Sequence, residues 1–302
     1  MTNRSIALYL SIIGLIFLSA IGWYVFALRS QPAPDSVTFD GQRAYADVQT
    51  QVAFGPRIPE TESHAKIQEW IRAELVKAGW QVEIQESEAL GHPIQNIIAK
   101  RNNDSPQIIF GAHYDSRMFA DNDADAANRA LPVPGANDGA SGVAVLLELA
   151  RILPEDTSPI WMVFFDAEDN GNIEGWDWIL GSREFVENNI IQPSAVVIVD
   201  MIGDADLNIY KERNSNAELT DQIWNTAKNL GYEDKFIPEY KHSMLDDHTP
   251  FVQAGMPAID IIDFDYPYWH TMQDTTDKVS AESLEIVGNT LWTWVTQQST
   301  QP

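Results

Sequence analysis

Apolar positions along the chain fall into one long run, several short runs and a few helical stripes. The long run is residues 6–28, 23 nearly unbroken apolar or small side chains. At ~1.5 Å per residue a helix of that length reaches roughly 35 Å, enough to span a bilayer. Residues 30–38 carry Pro32 and Pro34 among small polar side chains and read as a tether. Over residues 65–78, Ile67, Trp70, Ile71, Leu75 and Val76 mark one face of an amphipathic helix that Gly79 closes. Comparable patterns predict helices over residues 143–152, 219–230 and 283–295, the first just after the Gly-Ala-Ser-Gly turn at 139–142. Alternating or continuous apolar runs predict strands at 80–85, 96–99, 108–110, 160–165, 195–199 and 258–262.

Strands alternating with helices imply an α/β fold in three layers, its central mixed and largely parallel sheet covered on both faces. The expected organisation is a transmembrane helix within residues 1–29, a linker over 30–40 and one catalytic domain over 41–302. Arg4 and Arg29 flank the apolar run, which is longer than the ~7–15-residue core of a cleaved signal. A signal anchor is therefore preferred, with residues 6–28 in the cell membrane and the domain outside the cytoplasm. A cleaved signal and secretion is the alternative.

Charge and cysteine usage narrow the chemistry. The net charge is −25, and beyond the apolar segment 17 basic side chains face 44 acidic ones. Such a field repels phosphate backbones, so no nucleic-acid partner is expected. It favours cationic peptides or divalent metals, and it also serves plain solubility. The chain has no cysteine, which excludes disulfides, thiolate zinc sites and cysteine nucleophiles. A metal would have to sit on His, Asp or Glu.

Polar residues recur where the apolar strands stop: His113 with Asp115, Glu168 with Asp169, and Asp200. In open α/β sheets that edge is where ligands bind. With Asp138 and His270 they supply two imidazoles and several carboxylates, donors that suit zinc, and a carboxylate can bridge two ions. One lone Asp at a strand end is usually a helix cap, and one lone His a satisfied core residue. A whole set at one predicted edge is harder to explain that way. Glu168 is adjacent to Asp169, so one side chain can ligate while the other stays free as a base.

Six motifs in order resemble metallopeptidase family 28, the zinc aminopeptidases and glutaminyl cyclases. They are Ala-His-Tyr-Asp-Ser at 112–116, Gly-Ala-Asn-Asp-Gly-Ala-Ser-Gly at 135–142 and Phe-Phe-Asp-Ala-Glu-Asp at 164–169. Val-Asp-Met-Ile-Gly at 199–203, Asp-Asp-His-Thr-Pro-Phe at 246–251 and Trp-His-Thr-Met-Gln-Asp at 269–274 complete the series. The resemblance implies a zinc-exopeptidase-like fold and a zinc enzyme acting on peptide or protein N-termini. In the aminopeptidase form it implies two zincs, one on Asp138, Asp169 and His270 and the other on His113, Asp138 and Asp200. Glu168 would then activate water. In the cyclase form it implies one zinc on Asp138, Asp169 and His270, with Glu168 moving a proton from the α-amine of an N-terminal glutamine to the departing ammonia. His113 and Asp200 would become hydrogen-bonding groups.

Three details resemble the cyclase branch. An insertion at 170–180 holds Trp176 and Trp178, where cyclases place a pocket tryptophan. Trp269 precedes His270, and Asp246-Asp247 stands where aminopeptidases often begin with serine. Substrate contact is therefore expected from Trp176 and Trp269, and a hydrogen-bonding catalytic role from Asp247. Packing is the alternative role for Trp178 and Trp269. One departure stands out: Asp169 occupies a position that is glutamate in most relatives. Asp121, Asp123 and Asp125 lack the glycine and glutamate of a calcium loop and read as a solvated loop, with a lid role open. Arg57 pairs with an acid or serves no function, and the histidines outside the motifs, His64, His92 and His242, receive no role.

Overall fold

The computed structural model describes residues 38–101, 105–155, 157 and 159–298. Among these no helix is long and apolar enough to cross a membrane. The span expected over residues 6–28 lies outside them.

Two helices open the domain. α1 (Gly41–Ala53) starts where the Asp40 side chain accepts the backbone N–H of Arg43, and α2 (Glu62–Lys77) where Thr61 accepts that of His64. Such side-chain caps satisfy helix-end donors, and Thr61 explains why α2 begins ahead of its apolar stripe. Phe39 is buried against Gly288, and the compact unit begins there.

The main sheet has six strands in the order β1-β2-β4-β3-β5-β8. β1 (Gln81–Ala89) and β2 (His92–Lys100) form a hairpin, and β2 pairs antiparallel with β4 (Ile160–Phe165). β3 (Ile108–His113), β4, β5 (Ala195–Asp200) and β8 (Ala258–Ile262) run parallel. Alternate residues of these strands serve opposite faces. Phe110, Ala112, Met162, Phe164, Val197 and Val199 join the larger core with α1, α2, α3 (Ala140–Ile152) and α7 (Ala281–Gln298). Ile109, Val163, Phe165, Val196 and Ile198 join the smaller core with Phe185 of α4 (Leu180–Asn188) and Phe251 of α6 (Thr249–Gln253). This is the expected mixed, largely parallel sheet between helical layers.

The differences from expectation are local. The 139–142 turn is the first turn of α3, entered through Gly139 at φ +86°. A short parallel pair, β6 (Ile209–Lys211) and β7 (Phe236–Tyr240), forms a second sheet beside α5 (Ala217–Asn229). β6 is only three residues long, too short for periodicity to register.

Candidate metal centre

The C-terminal edge of the sheet gathers the site. His113 ends β3 and Asp200 ends β5; Glu168 and Asp169 follow β4, Asp138 precedes α3, and His270 follows β8. All six side chains are buried. His113 Nε2 lies 3.2 Å from Asp138 Oδ1 and 3.2 Å from Asp200 Oδ1. His270 Nε2 lies 2.8 Å from Asp169 Oδ1 and 3.7 Å from Asp138 Oδ2. Two three-residue groups thus share Asp138.

Each imidazole is aimed by an outer carboxylate. Asp115 Oδ1 stands 3.3 Å from His113 Nδ1, and Asp121 Oδ1 stands 3.4 Å from His270 Nδ1. A carboxylate there fixes the tautomer and turns the other nitrogen toward an ion. Asp115 also accepts the backbone N–H groups of Glu168 and Asp169 and the amide of Asn170, so one buried side chain places three neighbours. Asp274 accepts the backbone N–H groups of Asn137 and Asp138. Arg57, fully buried, donates to the carbonyls of Tyr114, Pro134, Gly135 and Asp138 and so braces the Asp138 loop. Ala167, Met201 and His270 hold positive φ (50°, 47° and 57°), the kind of backbone strain that clusters at functional sites.

A cavity of about 150 Å³ opens onto Asp138, Glu168, Asp169 and Asp200. Its wall includes Trp178, Met201, Met244, Leu245, Ile262, Phe264 and Trp269, with Asp246 as a further acid. Trp178 lies parallel to the His270 ring, centroids 6.0 Å apart at 15°.

The family model described as Peptidase family M28 matches residues 96–295, two thirds of the sequence and all six side chains of the two ligand groups and the Glu168 base. The chain belongs to peptidase family M28. A glutaminyl cyclase from Tannerella forsythia superposes at TM-score 0.81 with 35% identity, covering 88% of this chain and 100% of that one. A Zn-dependent exopeptidase from Parabacteroides distasonis superposes at TM-score 0.81 with 30% identity, covering 87% and 99%. Aminopeptidase YwaD of Bacillus subtilis is 29% identical over 219 residues, which is 65% of this chain and 42% of YwaD. The chain therefore spans less than half the length of that curated relative. It is an enzyme of this zinc-dependent family, glutaminyl-cyclase-like or aminopeptidase-like.

The family 28 site fits a metal on its own geometry. Asp138 Oδ2, 3.7 Å from His270 Nε2, and Asp169 Oδ2, on the carboxylate whose other oxygen meets that nitrogen, are both buried with no hydrogen-bond partner. Burial, then the Asp138 charge, raise Asp169 to about 6. Burial pulls His270 down, but Asp169 and Asp121 outweigh it and hold the ring at about 9. For His113 too, burial is opposed and overcome, by Asp115, Asp138 and Asp200, and the ring is held well above its ordinary value. A bound cation reverses this logic by favouring carboxylate and neutral imidazole.

Three expectations for this family 28 site need correction. Trp178, not Trp176, lines the cavity; Trp176 turns away to stack on His92 at 3.7 Å. The cavity wall carries Asp246 rather than Asp247, which is buried behind it and sits near Ser182. The 121–125 stretch is not merely solvated. Asp121 backs His270 and binds Arg117, while buried Asp123 accepts the backbone N–H of Met272, tying the loop to the His270 segment. Trp269 lines the cavity as expected.

Proposed function

We propose that this protein is a glutaminyl-peptide cyclotransferase, converting an N-terminal glutamine to pyroglutamate with release of ammonia. The observation that carries this reading is a difference between the two ligand groups. In the Asp138–Asp169–His270 group two carboxylate oxygens are left without partners. In the other group His113 Nε2 is within 3.2 Å of both Asp138 Oδ1 and Asp200 Oδ1, so the three polar atoms satisfy one another. Unpaired oxygens on Asp138 and Asp169 favour a metal at that group first, the arrangement of a one-zinc cyclase, with His270 Nε2 already at 2.8 Å from the other Asp169 oxygen.

Asp138, Asp169 and His270 would hold the zinc, which supplies Lewis-acid polarisation of the γ-amide carbonyl. Trp178, Trp269 and Phe264 enclose the glutamine side chain and exclude water that would divert the reaction to hydrolysis. Glu168 takes a proton as the α-amine nitrogen bonds to the γ-amide carbon. It returns that proton to the amide nitrogen, which leaves as ammonia. Burial raises Glu168, and against a pull from His113 the charges of Asp169, Asp246 and Asp247 raise it further. A carboxyl raised in this way is a stronger base than a free one, suited to take up the amine proton and hold it until transfer. Asp246, raised to about 7 by burial and by Asp200, lines the same wall, and its charge pushes Glu168 further up. His113 and Asp200 act as a hydrogen-bonded brace.

The second reading, a two-zinc aminopeptidase, is favoured by the His113–Asp138–Asp200 geometry, which has the right donors for another ion. Product mass separates the two, since cyclisation removes ammonia and hydrolysis removes a residue. We also propose that residues 6–28 tether the enzyme with its catalytic unit outside the cytoplasm. Protease shaving of intact cells tests this: loss of the domain supports it, and full protection argues against it.

A further inference from the structure

Behind the pocket wall lies a third set of ligating side chains. Asp246 and His248 stand just before α6, and Asp260 is the middle residue of β8. Their exposures are 5%, 0% and 1%. One ligand atom from each falls within 4.8 Å of the others. Acidic residues alone would mean little, but here the polar atoms lack partners. Neither ring nitrogen of His248 and neither carboxylate oxygen of Asp260 makes a hydrogen bond. Buried groups of this kind are nearly always paired, so atoms left open and converging point to a missing ligand.

The surroundings give that ligand a charge. Glu212 is fully engaged, accepting the backbone N–H groups of Asn214, Ser215 and Met244 and the Ser215 hydroxyl. It faces His248 Nε2 at 3.4 Å and so favours the ring proton on that nitrogen. Nδ1 keeps its lone pair, 3.9 Å from Asp260 Oδ2. That separation is too wide for a hydrogen bond, yet two ligands bound at ~2.0–2.2 Å to one ion can stand about 4 Å apart. One Asp246 oxygen accepts the backbone N–H of Asp247, which leaves the other to ligate. An imidazole backed by a carboxylate, joined by two further carboxylates, is a zinc-type donor set.

We propose that Asp246, His248 and Asp260 hold a divalent zinc-class cation, an interior site distinct from both catalytic groups. Such an ion compensates the buried acids around it and fixes Asp246 at the pocket wall. The inference holds for either catalytic reading.

The test uses the full chain purified in detergent, saturated with zinc and desalted. Zinc per chain is counted by inductively coupled plasma mass spectrometry for wild type, Asp260→Asn and His248→Gln. Each variant is expected to carry one zinc fewer than wild type with an unchanged far-UV spectrum. An unchanged zinc count overturns the proposal. Should both variants misfold, crystals of the zinc-loaded wild type measured at the zinc edge decide the matter. An anomalous peak among Asp246, His248 and Asp260 supports the site, and peaks confined to the ligands around Asp138 refute it. The same map shows the catalytic ions separately, so failure here and failure of the catalytic assignment are distinguishable.

Discussion

Asp115 stands 3.3 Å from Nδ1 of His113 and turns the opposite ring nitrogen toward Asp138 and Asp200. The same carboxylate accepts the backbone N–H groups of Glu168 and Asp169. One side chain thus sets the tautomer of an imidazole and the path of the acidic pair. Asp115→Asn keeps the size but weakens both tasks. Loss of such an outer partner typically costs about 10–100-fold in metal affinity or activity. We expect a kcat/KM loss in that range with secondary structure intact, measured by steady-state kinetics beside circular dichroism. Wild-type kinetics would show that His113 needs no such partner.

The neighbouring acids of the 246–248 segment should separate cleanly. Asp246 lines the pocket with Glu168, whereas Asp247 is buried with both oxygens unpartnered, and burial and the Asp246 charge push its carboxyl well above the usual range. Asn mimics a protonated Asp closely. Asp247→Asn is therefore expected to change kcat little, while Asp246→Asn lowers it about 100-fold or more, within the range of general acid–base contributions. Equal losses in the two variants would remove the distinction.

Trp178 and Trp176 offer a similar contrast within one insertion. Trp178→Ala removes a pocket wall and the ring stacked on His270, and KM should rise about tenfold, the equivalent of ~1.4 kcal/mol. Trp176→Ala removes the stack on His92 and should lower the melting temperature with KM unchanged. The reverse pattern would return Trp176 to the substrate.

These contrasts mark where the sequence stops being informative. His113 and Asp200 end uniformly apolar strands, so their place at the ligand-binding edge follows from periodicity alone. Glu168 and Asp169 follow the same logic after β4. The two tryptophans are two residues apart in an irregular loop, where no period says which ring faces inward. Arg57 and Asp121 act on residues far along the chain, at separations that only the tertiary fold closes. Asp260 sits in a strand whose burial pattern gives no sign of a polar cluster, because the residues facing it come from the 246–248 turn.

Acid should stabilise the metal-free protein. Burial raises Asp246 and Asp274 to about 7 and Asp169 to about 6, against ~3.9 for an unfolded Asp. Between ~4 and 7 the folded chain therefore binds more protons than the unfolded one, and stability falls as pH rises. His270, held at about 9, extends the same trend upward from ~6.5. With chelator present, melting should occur at a higher temperature at pH 5 than at pH 8. Zinc should reverse the order, because protons compete with the ion at low pH. A zinc-independent profile would argue that these groups do not ligate.

The most direct measurement is product mass. The full chain, loaded with zinc, is incubated with one peptide beginning in glutamine and one beginning in leucine, and both are read by mass spectrometry. The account predicts loss of ammonia from the first, unchanged length in both, and no such loss with Glu168→Gln. A leucine peptide shortened by its first residue would contradict it and make His113, Asp138 and Asp200 the ligands of a second catalytic zinc.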